Sequence, residues 1–117
     1  MTSEQKQIQP TLFDENINNV EIETVVLFAL GDFQARGKIL ASRELALDRL
    51  RGAFKRAAER FETAELSDEA IAESLQKLGA KIVKVPNFVA KHPFRITVQA
   101  ELAERAKSVY QDSLEND

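Results

Sequence analysis

The chain has 117 residues, no cysteine, one histidine, 44% hydrophobic residues and a formal net charge of -3. That length and apolar content suit one domain with its own core, and the missing cysteines exclude disulfides, thiolate zinc sites and cysteine nucleophiles. No segment reads as a signal peptide, and the longest uninterrupted apolar run, residues 25–30, is far too short for a membrane span, so a cytoplasmic, membrane-free protein is expected.

Residues 1–19 are rich in Ser, Gln, Asn and acidic side chains, with Pro10 breaking any helix, and read as a disordered tail. Ile8, Leu12 and Phe13 form an apolar island within it. Residues 20–37 fit two patterns. Val20, Ile22 and Thr24 alternate with Glu21 and Glu23 as in a strand, with a hairpin at Gly31-Asp32. The spacing of Ile22, Val25, Val26, Ala29 and Phe33 equally describes one helical face ending at Gly37, and the helix is preferred.

Ser42 can cap a helix running to about Glu62, with Leu47, Leu50, Phe54, Ala57, Ala58 and Phe61 along its buried side. Gly52 inside that span would cost about 1 kcal/mol in a helix interior and marks a possible break, giving a helix-turn-helix pair of residues 43–50 and 53–62. Ser67 caps the next helix, Asp68 and Glu69 favour its N-terminal dipole, and Gly79 supplies a left-handed stop. Ile82, Val83 and Val85 make a strand ending at Pro86-Asn87. Phe94, Ile96 and Val98 alternate with Arg95, Thr97 and Gln99 in a second strand, entered in extended form through His92-Pro93. A last helix runs from about Ala100 to Ser113. The expectation is an α+β fold: a disordered tail (1–19), then one winged-helix-like domain (20–117) of three or four helices with a C-terminal two-stranded antiparallel hairpin.

Charge is unevenly distributed. Residues 1–35 hold six carboxylates against Lys6, residues 36–100 hold thirteen Lys/Arg against eight Asp/Glu, and residues 101–117 hold five carboxylates against Arg105 and Lys107. Between Glu73 and Glu101 there is no carboxylate at all, while Lys77, Lys81, Lys84, Lys91, His92 and Arg95 all fall there. Cations on a hairpin can approach phosphates, and Phe88 in the hairpin loop could stack on a base. Lys81, Lys84, Lys91, His92 and Arg95, helped by Arg49, Arg56 and Arg60, are therefore the candidate nucleic-acid contacts. The same cations would also guard an edge hairpin against aggregation. The acidic first turn of the helix from Asp68 argues against base reading by that helix, which ordinarily depends on polar and basic side chains near its N-terminus.

The peptide Gln9-Pro10-Thr11-Leu12-Phe13 resembles the short motif by which bacterial replication and repair proteins bind the sliding clamp. It departs from that pattern at Pro10, where an aliphatic residue is usual. The resemblance implies partner contacts by Gln9, Leu12 and Phe13, with a mobile segment delivering Leu-Phe into an apolar cleft. The apolar stripe between 47 and 61 would also suit a protein partner or self-association. A phosphate-cradling glycine loop, nucleophile elbow or metal-spaced cluster is not found in the sequence, and His92 stands alone beside a proline. The chain thus reads as a small non-enzymatic nucleic-acid-associated protein, a regulator or accessory subunit, with no cofactor, metal or small-molecule substrate expected. A protein-interaction adaptor is the competing reading.

Overall fold

The computed structural model describes residues 10–86 and 94–115, with side chains described from Ile22 onward. Helix α1 spans Pro10–Ala35, and a short strand β1, Glu44–Ala46, leads into a 3-10 helix over Leu47–Leu50. Helices α2 (Arg51–Arg60) and α3 (Asp68–Lys77) follow, then strands β2 (Lys81–Lys84) and β3 (Phe94–Thr97) and helix α4 (Ala100–Glu115). The fold is mixed helix and sheet.

Residues 25–30 explain the placement of α1. All six are apolar and none is more than 5% exposed, so the helix has no solvent face over that stretch. A helix apolar on every side must be surrounded, and α1 packs against α4, α2 and α3. The choice between strand and helix for residues 20–37 therefore falls to the helix, and Gly37 ends it with φ +85. Residues 10–19, expected as part of a tail, have helical backbone as the first described part of α1.

The expected helix from Ser42 is replaced by three shorter pieces. Ser42 takes a left-handed φ of 58 and its N–H donates to Val98 O at 2.7 Å, which directs the chain into β1. β3 is consequently the central strand. It pairs antiparallel with β1 through Leu45↔Ile96 and with β2 through Ile82↔Ile96, in the order β1-β3-β2. The expected two-stranded hairpin is thus a three-stranded sheet, because β1 satisfies the second row of β3 backbone groups that a hairpin would leave open. The proposed break at Gly52 falls instead at Leu50–Arg51, where the 3-10 helix passes into α2.

Local signals set α3. Ser67 Oγ accepts from Ala70 N–H at 3.1 Å, the N-cap expected from sequence. At the other end Gly79 has φ +104, its N–H donates to Gln76 O at 3.0 Å, and Ala80 N–H donates to Leu75 O at 2.9 Å. That pair of bonds is a Schellman closure, which needs the left-handed glycine. α4 lies along α1 at very close range: a Cβ placed on Gly31 would stand 2.3 Å from Tyr110 Cβ. Gln34 Nε2 donates to Ala103 O at 3.0 Å across the same contact. Among the described residues, no helix is long and apolar enough to cross a membrane.

Candidate nucleic-acid interface

Register decides which sheet cations can act together. Opposite residues of an antiparallel pair share a face, and the faces alternate along each strand. The pairs Ala46↔Arg95, Val83↔Arg95, Glu44↔Thr97 and Lys81↔Thr97 put Arg95 and Lys81 on one face, together with Val83 and Glu44. The other face carries Leu45, Ile96 and Phe94, all buried, and it also carries Lys84. Lys84 is exposed at the end of β2, with Nζ 5.5 Å from the centroid of the Phe94 ring. Lys81 and Lys84 therefore lie on opposite faces, and the exposed side of the sheet offers Lys81 and Arg95 beside the carboxylate of Glu44. Lys91, His92 and Phe88 lie outside the described residues.

Two of the helix arginines are engaged within the fold. Arg56 Nε donates to Asp32 Oδ2 at 2.8 Å, and the Asp32 side chain is only 8% exposed. Arg36 approaches the same carboxylate at 3.5 Å from the turn that follows α1. Arg60 Nη2 donates to Ser113 O at 2.6 Å, and its guanidinium carbon sits 5.2 Å from the centroid of the Phe28 ring. Phe28 in turn meets Phe61 edge-on at 5.4 Å and Tyr110 at 4.9 Å. Arg56 and Arg60 thus tie α2 to α1 and to the end of α4.

Arg49 stands differently. It is exposed on the 3-10 helix and lines an open groove of about 480 Å³ with Lys38 and Arg43. Buried Phe33 and Leu45 form the base of the groove, with Gly37 and the 65%-exposed Ile39 beside Lys38. The local fold accounts for this convergence. Gly37 turns the chain out of α1, Leu40 (1% exposed) pins the loop to the core, and the left-handed Ser42 sets the course of the chain through Arg43 into β1. Among the described residues, Lys38, Arg43 and Arg49 form no ion pair and no carboxylate lines the groove. Three cations facing one cleft without counter-charge suit phosphate oxygens. Sequence reasoning named Arg49 and missed Lys38 and Arg43. The available signal was the run from Arg36 to Arg56, seven cations against Glu44 and Asp48, but those two acids masked it.

The surface of α3 has the opposite character. Glu69, Glu73, Gln76 and Lys77 are exposed, and Asp68 receives Arg51 Nη2 at 3.0 Å on both carboxylate oxygens. Arg51 Nε also donates to Asp48 Oδ1 at 3.2 Å, and Asp48 together with Asp68 raises the Arg51 pKa above its ordinary value. Its charge is therefore already balanced by two acids. Of the expected partner peptide, Gln9 lies outside the described residues, while Leu12 and Phe13 fall in the first turns of α1. Among the described residues, no group of three or more His, Asp or Glu is placed to hold a metal ion. The chain matches no protein-family model, no curated protein sequence and no solved structure.

Proposed function

We propose that the chain is a small, non-enzymatic, nucleic-acid-associated protein, a regulator or accessory subunit that holds phosphates in the groove of Lys38, Arg43 and Arg49. The observation that carries this reading is the convergence of those three cations on one cleft where, among the described residues, they form no ion pair and no carboxylate is a neighbour. The fold supports it from a second direction. Leaving the 3-10 helix aside, the order helix, strand, helix, helix, strand, strand, helix, with the first and third strands adjacent, is compatible with a winged-helix reading. On that reading the connection between β2 and β3, which carries Lys91 and His92, is the wing. Lys81 and Arg95 on the exposed sheet face would add to the phosphate contacts.

Fluorescence anisotropy with labelled nucleic acid, at low and near-physiological salt, tests the proposal. Binding should weaken steeply with salt. The triple variant Lys38→Ala/Arg43→Ala/Arg49→Ala should bind more weakly and with a salt slope smaller by about 2–3, since each phosphate no longer neutralised lowers the slope by about 0.9. Absence of binding at low salt rejects the reading. It would leave the groove, with Ile39 at its side, to an acidic protein segment.

A further inference from the structure

The groove and α3 together specify what kind of nucleic acid would be held, provided the nucleic-acid reading above is right. In helix-turn-helix proteins the second helix of the pair reads bases from the major groove through its N-terminal residues. Here that position belongs to α3, which exposes Glu69 and Glu73 in its first two turns and only Lys77 in its last. The segment leading into it exposes Glu62 and Glu65 as well. A helix so charged is repelled by the two phosphate rows that flank a major groove. Arg51, the cation bonded to its first residue, is bound to Asp48 and Asp68.

Single-stranded partners ask for something else. They are held by aromatic rings on which successive bases stack. Among the described side chains, Phe28, Phe33, Phe54 and Phe94 are buried and Phe61 and Tyr110 are half-buried, so none offers an open ring face. The side chains of Phe13 and Phe88 are not among those described, and Phe88 is tested directly below. What the described residues offer for contact is charge without stacking: Lys38, Arg43 and Arg49 in the groove, with Lys81 and Arg95 on the exposed sheet face. Phosphate contacts of this type position a duplex but carry no sequence information.

We infer that the groove of Lys38, Arg43 and Arg49 holds the phosphate backbone of a double-stranded nucleic acid without reading its base sequence. The test uses the full chain and four anisotropy probes of equal length: two DNA duplexes of unrelated sequence, an RNA duplex, and one DNA single strand. The two DNA duplexes should bind within about threefold of each other, and the single strand about tenfold more weakly. Arg43→Ala/Arg49→Ala should weaken both DNA duplexes by the same factor, and Phe88→Ala should leave duplex affinity unchanged. Circular dichroism would establish that each variant is folded. A preference between the DNA and RNA duplexes upholds the inference and names the source of the phosphates. A hundredfold preference for one DNA sequence, or a single strand bound as tightly as a duplex and weakened by Phe88→Ala, overturns it while leaving nucleic-acid binding intact. Binding of no probe at low salt overturns the underlying reading instead.

Discussion

Asp32 is 6% exposed beneath two arginines, so its charge depends on those partners. Arg56 is the nearer one, and Arg36 is longer and more exposed. Arg56→Ala should destabilise the protein by about 2–3 kcal/mol, below the 3–5 kcal/mol of a fully buried pair because the Arg56 side chain is 37% exposed. The double variant Asp32→Ala/Arg56→Ala should be less destabilised than Arg56→Ala alone, since no carboxylate is then left buried without its partner. Urea unfolding of the two single variants and the double one measures that coupling, and additive losses would contradict the ion-pair role. The pair also shows where sequence reading stops. A helical wheel places Arg56 and Arg60 away from the stripe of Phe54 and Ala57, but it cannot show that Asp32, twenty-four positions earlier, is the partner. Arg49 has the same sequence character and a different environment. Only tertiary packing separates the arginines held inside the fold from the one left facing an open groove.

Helix α3 could be read from sequence almost to the residue because its determinants are local: Ser67 at the start, Gly79 at the stop, and Ile71, Leu75 and Leu78 at helical spacing. Ser67→Ala should therefore cost about 1 kcal/mol by removing the bond to Ala70 N–H, and thermal unfolding would register it as a lowered Tm. A loss confined to noise would mean that packing against α1 and the sheet holds the helix without its cap. β1 is the opposite case. Three residues give no usable alternation, and the helical spacing of Leu47, Leu50 and Phe54 begins directly after them. Its existence depends on β3, nearly fifty residues further on, offering a second row of backbone groups, and on the turn at Ser42. The groove was hidden for the same reason. Arg43 reaches it from just before β1 and Lys38 from the loop after α1, an assembly that a continuous helix over residues 42–62 would not make.

The packing of the molecule separates what holds it together from what it would bind with. α1 is the common support: α4 closes on it at Gly31, α2 is tied to it through Asp32, and the basic groove opens only beyond its C-terminal end. At Gly31 an added Cβ would meet Tyr110 Cβ at 2.3 Å and Ala106 O at 2.6 Å. Neither atom can rotate away, one being fixed to its backbone and the other part of it, so the two helices must separate. Gly31→Ala gains about 1 kcal/mol of helix propensity but should still lose about 1–3 kcal/mol net to overpacking. Lys38, Arg43 and Arg49 are exposed and touch no other charge among the described residues, so their joint replacement by Ala should change stability by no more than about 0.5 kcal/mol per site. The two variants should accordingly move different observables. Gly31→Ala should lower the urea midpoint and leave the salt slope of nucleic-acid binding unchanged in the folded fraction, while the triple variant should do the reverse. If the triple variant instead unfolds the chain, its cations help close the turn from α1 into β1, and the groove belongs to the scaffold. If Gly31→Ala changes the salt slope, the spacing of α1 and α4 sets the position of the groove, and stability and binding are coupled through α1.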